Sequence, residues 1–498
     1  MKTDKNKRPG LLNAAKSLAT FQMLAMAAGF LRNVVLARLI GIEDMGIAAI
    51  LGMTVSTIEQ IADSGINRFL VQAPDGDSVK TVGTAQLYAL GRGVVVALLL
   101  LFLSSEIASA FSVPQLHPAF AAIAIIPLMR GAVNLDVYRL QREMAFKATN
   151  WMELAGQLVA LVVACVCGAW LHDYRAALLA LISQCLTIVV TSHCLARRAF
   201  RLELDVAALR SLARFGLPLV LNGGLLALTI NGDRIIMASS RKISPEHAVA
   251  LAEFAAYSVG YALIFTLTTG LLRVATSAML PALTKVRSNP QVFQSTARLL
   301  CQSLCGFACC ITFLFAFFGQ TIIVELYGNQ YRLDQTLLTL LAVSFSLRAL
   351  RSLPNSIAMS NGNTWNTLAA NCFRSLALPL SLAALTYGYG MHGIVWANVA
   401  AELLAVTVCA LLIDRSLISG GRILVSSAVL YGPLALVALL SAWYLPADAP
   451  ALRALAGVLA VVVTLVSFFF TASELRTKLA QLLAKRADKR SGLNFPRF

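Results

Sequence analysis

Apolar positions along this chain neither alternate nor keep to one narrow stripe; they run on. From Leu11 to Phe470, long and mostly apolar stretches recur between short joints rich in charge, Pro or Gly. A bilayer span needs roughly 20 such residues, and cutting at the joints predicts about 14 spans. They fall at about residues 11–38, 45–72, 81–109, 118–138, 147–170, 176–195, 212–238, 254–280, 299–324, 336–359, 364–387, 392–412, 424–445 and 453–473. The period-two pattern of a membrane barrel is missing, so the spans are expected to be helices and the fold all-α. The first stretch, Leu11–Ile40, is longer than the apolar core of a signal peptide, about 7–15 residues, and is expected to remain as a helix. No joint exceeds about 20 residues.

Composition agrees and adds an exclusion. The 498 residues are 58% hydrophobic and 13% charged, with a mean hydropathy of +0.74. Soluble domains are about 45–50% apolar and 25% charged, so a soluble enzyme and a disordered chain are both excluded. Charge changes the picture more. There are 41 Lys+Arg against 24 Asp+Glu, formally +17. With the N-terminus placed inside, the inside joints and both termini hold about 25 basic residues, and the outside joints about five. The outside set is Arg175, Arg241, Lys242, Arg332 and Arg453. This asymmetry predicts cytoplasmic termini and turns most of the excess into an orientation signal, with no nucleic-acid partner. The basic tail, residues 474–498, reads as an anchor on anionic membrane lipid.

The informative charges are those left within spans: Lys16, Arg32, Arg38, Arg68, Arg92, Arg130, Arg234, Arg273, Arg348, Arg351 and Arg374. Lys16, Arg38 and Arg68 lie near span ends, where long side chains snorkel. A central Arg costs roughly 2.5–3.5 kcal/mol on insertion scales, so the others are expected to face a wet cavity or a partner. The acids there are Glu59, Asp63, Asp136, Asp233 and Glu402, with Glu59 and Asp63 one turn apart on one face. Pairing absorbs only part of the basic set, because acids are outnumbered. The surplus suits phosphate or pyrophosphate, whose oxygens match the guanidinium fork. The acids suit H⁺ or Na⁺ coupling. Charge alone thus suggests a transporter of an anionic substrate.

Catalytic signals are missing. There is no HExxH, GxxxxGK[ST], GxSxG or paired CxxC pattern, and no loop large enough for an external catalytic site. The ten cysteines lie in apolar stretches; Cys301, Cys305 and Cys309 form one helical stripe and read as packing residues, with no disulfide framework expected. The five histidines lie mostly near joints and read as interfacial. No metal, cofactor or enzyme activity is expected. Two segments hint at a repeat of about six spans. GFLRNVVLARLIGIEDMG and NGDRIIMASSRKISPEHA each place an Arg, Arg32 and Arg234, in the outer part of a helix before a short polar joint. Expected divisions are an N-terminal lobe at 1–200, a C-terminal lobe at 201–415, accessory spans at 416–473 and the tail at 474–498. Pro127, Pro218, Pro354, Pro379 and Pro433 are expected to mark kinks. Gly223, Gly224 and Gly260 are expected to allow close helix approach.

Several segments resemble the polysaccharide exporters, or oligosaccharide flippases, of the multidrug/oligosaccharidyl-lipid/polysaccharide superfamily. They are LARLIGIEDMGIAAIL with QIADSGINRFLVQ, LQREMAFKATNWMELAGQLVALVVA, LARFGLPLVLNG with NGDRIIMAS, AMLPALTKVRSNP, and YGNQYRLDQTLLTLLAVSFSLRALRSLPNSIAMSNGNTW. Order and spacing carry the likeness over residues 11–415. The chain departs from the family at IEDMG, where a Pro is commoner, and at Asn361-Gly362-Asn363, where Gly-Arg is usual.

The resemblance implies two six-helix lobes around a central cavity, with two extra C-terminal helices. It implies alternating-access export of polyprenyl-pyrophosphate-linked oligosaccharide units across the bacterial inner membrane. Polymerase or glycosyltransferase partners would go with that role. Under it, Arg32, Arg92, Arg234, Arg273, Arg348 and Arg374 hold the pyrophosphate and glycan, and Glu59, Asp63 and Asp233 serve ion coupling or gating. Three alternatives stay open: a peptidoglycan-precursor flippase, a cation-coupled multidrug antiporter, and a membrane-embedded polyprenyl-glycan enzyme. The Arg surplus argues against the antiporter, whose site should be acidic and aromatic.

Overall fold

A computed structural model describes residues 11–471 except 144, 362, 364, 414–419 and 445–449. The Lys16 side chain, Gly362 and the basic tail at 474–498 lie outside the described residues. The described residues are helical. The helices are α1 (Leu11–Leu39), α2 (Ile42–Ile61), α3 (Ile66–Gln72), α4 (Val79–Ala110), α5 (His117–Ala122), α6 (Ile125–Gly131), α7 (Asp136–Arg139), α8 (Lys147–Leu171), α9 (Arg175–Leu195) and α10 (Val206–Ala238). They continue as α11 (Ser240–Ile243), α12 (Leu251–Val286), α13 (Pro290–Tyr327), α14 (Gln335–Ser360), α15 (Trp365–Arg374), α16 (Ala377–Thr386), α17 (Gly390–Leu411), α18 (Gly420–Tyr444) and α19 (Pro450–Thr471).

The count from sequence is refined here. Among the described residues 12 helical segments are long and apolar enough to cross a bilayer. The fourth expected span is instead a pair, Pro114–Gly131 and Asp136–Glu143, bent by 52°. The last, α19, has an apolar part of only Leu455–Phe468. The described residues therefore hold 12 to 13 candidate spans and a short apolar helix after them.

Two prolines explain two breaks. Pro127 and Pro379 each lack an N–H and crowd the carbonyl four residues earlier. The chain interrupts there, at Ile123–Ala124 between α5 and α6 and at Ser375–Leu376 between α15 and α16. Pro218, Pro354 and Pro433 instead lie inside continuous helices. The outer surface is apolar as lipid demands: Val95, Leu99 and Phe102 of α4 and Trp170 of α8 are exposed.

The chain forms two compact units. The first is Met1–Thr266 with Ile323–Arg332 and Ser381–Met391; the second is Leu267–Ile322, Leu333–Leu380 and His392–Phe498. In the first, small residues let helices touch. A Cβ on Gly223 of α10 would overlap the Gln60 carbonyl of α2, so this crossing requires glycine. Gly224 faces open space, against expectation. In the second, α14 is the central helix: 83% of its apolar window is buried.

Candidate functional site

The first unit encloses a cavity of about 540 Å³. Helix α1 contributes Arg32 and Asn33, α2 Ser56 and Gln60, α10 Asn231 and Arg234, and α12 Ser258 and Tyr261. Arg32 and Arg234 are its charged lining residues, and no carboxylate lines it. Both guanidinium groups rest on neutral partners. Arg32 Nη1 donates to Gln184 Oε1 at 2.6 Å. Arg234 Nη2 donates to Asn231 Oδ1, and its guanidinium lies 4.2 Å from the Tyr261 ring centroid. Asn231 is itself held by Nδ2 donating to Thr57 Oγ1 at 2.9 Å, and Tyr261 by its hydroxyl donating to the Ile230 carbonyl at 2.9 Å. Arg234 Nε and Ser258 Oγ are buried with no hydrogen-bond partner. The residues positioning each arginine leave its charge uncancelled, and polar atoms remain for a ligand.

A second cavity of about 420 Å³ shares Ser56 and Gln60 with the first. It is mixed in charge, lined by Glu59, Asp63 and Glu153 with Arg92 and Arg130. Arg130 Nε meets Glu59 Oε1 at 2.9 Å. Arg92 Nη1 donates to the Ala62 carbonyl at 2.6 Å and Ser64 Oγ at 3.2 Å, satisfying the C-terminal end of α2. Asp63 accepts the Gly65 N–H at 2.9 Å in the turn between α2 and α3, and lies 3.8 Å from exposed Arg68. Asp233 lines neither cavity. It is buried, accepting the Tyr257 hydroxyl and the Arg234 N–H, each at 2.8 Å.

The remaining expected site residues belong to the second unit. Glu402 of α17, 1% exposed, gathers three arginines. Its Oε1 is 2.9 Å from Arg348 Nε and 2.5 Å from Arg374 Nε, and its Oε2 is 3.5 Å from Arg351 Nε. Arg351 Nη1 also donates to Asn371 Oδ1 at 2.9 Å. Arg374 ends α15 at the break before Pro379, where a cation favours the helix C-terminus. Arg273 is exposed on α12.

The structure therefore groups Arg32 with Arg234, Arg92 with Glu59 and Asp63, and Arg348 with Arg374. Sequence reasoning missed Glu153, whose signal was a lone carboxylate among Trp151, Met152 and Leu154. Arg38, expected to snorkel, donates instead to the Glu325 and Leu326 carbonyls and caps α13. At the joints, the Arg139 guanidinium 2.6 Å from Asp77 lowers that carboxyl below its ordinary range. His392, 3.0 Å from Asp334, does the same there.

A profile of the family described as polysaccharide biosynthesis protein matches residues 35–333. The chain belongs to this family. The match spans Arg92 and Arg234, begins three residues after Arg32, and ends before Arg348. Among solved structures, the chain is similar to "Lipid II flippase MurJ, inward closed conformation", with a TM-score of 0.65 and 12% identity over 91% of this chain and 99% of that one. It is also similar to the inward-facing conformation of a multidrug resistance MATE family transporter of the MOP superfamily. There the TM-score is 0.58 at 13% identity, over 81% of this chain and 98% of that one. These likenesses show that the chain shares the fold of those two structures. No curated protein sequence matches significantly.

Proposed function

We propose that this member of the polysaccharide biosynthesis family is a flippase. It carries polyprenyl-pyrophosphate-linked oligosaccharide units across the bacterial inner membrane, with both termini cytoplasmic, for surface or exopolysaccharide synthesis. The observation that carries the reading is the cavity in which Arg32 and Arg234 rest on Gln184, Asn231 and an aromatic face rather than on carboxylates. Uncancelled guanidinium groups in a partly buried polar cavity favour a phosphate-bearing ligand. Neutral partners hold the two side chains ready in the empty state and yield to stronger, charge-assisted acceptors on the cargo.

Pyrophosphate oxygens take the place of the Gln184 and Asn231 oxygens at the two arginines. Asn33, Ser56, Gln60 and Ser258 offer hydrogen bonds to the first sugar. The polyprenyl chain stays in lipid. Arg348 and Arg374 hold the second unit together through Glu402 rather than the anion. Glu59 and Asp63 couple the cycle to H⁺ or Na⁺, and Asp233, bonded to Tyr257 beside Arg234, gates the arginine. Two lobes at 1–200 and 201–415 alternate access, and no chemical step is catalysed.

A strain lacking the gene should accumulate lipid-linked oligosaccharide and lose surface polysaccharide. The Arg32→Ala/Arg234→Ala double variant, expressed at normal level, should not restore export; full export by it would sink the anion assignment. Accumulation of a peptidoglycan precursor instead would move the cargo to the peptidoglycan branch, a reading supported by the likeness to the structure named lipid II flippase.

A further inference from the structure

The cavities of the first unit share walls. A third, of about 300 Å³, lies where the basic joint enters α8, lined by residues that include Gln22, Tyr138, Gln141, Asn150 and Glu153. Tyr138 and Glu153 also line the mixed-charge cavity, which in turn shares Ser56 and Gln60 with the arginine cavity. Polar side chains therefore continue from the joint at residues 139–147 to Arg32 and Arg234. Glu153 stands at the first junction. It holds no ion pair with any described residue, whereas Glu59 is held by Arg130 at 2.9 Å. The charged and titratable groups around it are Arg130, Glu59, Asp63 and Arg92 across the cavity, Tyr138 from α7, and Cys185 from α9. The polar residue α1 brings to the joint-side cavity is Gln22.

We propose that Glu153 is a proton-binding site that passes protons between the joint-side cavity and the Glu59–Arg130 pair. A carboxylate locked to a guanidinium resists protonation, while an unlocked one at the meeting of two polar cavities can take a proton from the water side. The proton adds to the Glu153 carboxylate, leaves it as a proton across the shared cavity, and adds to the Glu59 carboxylate. Neutral Glu59 releases Arg130, which keeps its own charge. One uncancelled positive charge then stands beside the cavity that holds the anionic cargo. Proton arrival thereby strengthens cargo binding and its departure weakens it. The inference rests on the transport reading only in this last coupling step.

The test uses the full chain in lipid nanodiscs with dicyclohexylcarbodiimide, which adds to protonated carboxylic acids in apolar surroundings, read by peptide mass spectrometry. Glu153 should be labelled, less so as pH rises. Glu59, held by Arg130 for most of the cycle, should label more weakly than Glu153, and Arg130→Gln should raise its labelling. In cells, Glu153→Gln should slow export at least about tenfold and flatten its pH profile, and Glu153→Asp should restore both. An unlabelled Glu153 at every pH, or Glu153→Gln exporting at the normal rate and pH profile, overturns the inference. The two readings fail separately. If the Arg32/Arg234 variant exports normally while Glu153 labels and Glu153→Gln fails, the anion assignment falls and the proton site stands. The reverse pattern removes the proton site alone.

Discussion

In sequence, Arg32 and Arg234 of the first unit resemble Arg348, Arg351 and Arg374 of the other, each an arginine stranded in an apolar span. Their surroundings differ. In the second unit three guanidinium groups converge on one carboxylate that is 1% exposed, at 2.5–3.5 Å. In the first, both lie in a cavity and rest on amides and an aromatic ring. A buried arginine with a carboxylate serves the fold, and removing that carboxylate strands charge. An arginine held by neutral groups keeps its charge available to a ligand. The number of intramembrane arginines is thus less informative than the kind of group each one touches.

The comparison breaks first at Glu402. Glu402→Ala takes the shared anion from two buried arginines, Arg351 and Arg374, and from half-buried Arg348, and should cost about 3–5 kcal/mol, the range for breaking a buried pair. Thermal unfolding in lipid nanodiscs reads this, and an unchanged midpoint would make the second-unit cluster no more structural than the first. Next comes Arg32→Gln or Arg234→Gln. Each should weaken inorganic pyrophosphate binding by roughly 10- to 100-fold, the value of one charge-assisted hydrogen-bonding group, with little change in unfolding. Arg234→Lys sharpens the point. It keeps the charge but loses the planar face against Tyr261, so part of the affinity, about 0.5–2 kcal/mol, should go.

Smaller effects lie at the joints. Asp334 accepts the Thr336 and Leu337 N–H groups at the start of α14. Asp334→Ala should cost about 0.5–2 kcal/mol and Asp334→Asn much less, because Asn caps nearly as well. Smallest is the Asp77–Arg139 contact. The folded Asp77 carboxyl lies below its unfolded value of about 3.9. Its contribution is therefore complete above that value and is lost as pH falls through the lower, folded one. With Asp77 59% exposed, Asp77→Asn should remove less than about 1 kcal/mol near neutral pH, and the difference should shrink to nothing as pH falls through the folded carboxyl's range.

How much of this was legible follows from the physics of each feature. Lipid contact is a local property of a segment, so apolar runs predicted where helices lie; α8 at 147–171 and α14 at 335–360 coincide with their expected spans within a residue. Pro127 and Pro379 foretold breaks because proline acts on its own helix. Pro218, Pro354 and Pro433 did not break theirs, since neighbouring helices absorb the strain. Partner choice was not legible. Arg32 meets Gln184, 152 positions away, and Glu402 meets arginines on α14 and α15. No spacing rule within one span encodes such pairs. Asp63 illustrates the same limit: beside Glu59 in sequence, it belongs to a turn in the structure.

The central claim is that Arg32 and Arg234, and not the Glu402 cluster, receive the anion. Calorimetric titration of inorganic pyrophosphate into the full chain in lipid nanodiscs tests it directly, comparing the unaltered protein with Arg32→Gln/Arg234→Gln and with Arg348→Gln. The account predicts saturable binding that vanishes in the double variant and persists in Arg348→Gln. Binding that survives the double variant but is lost in Arg348→Gln would contradict it.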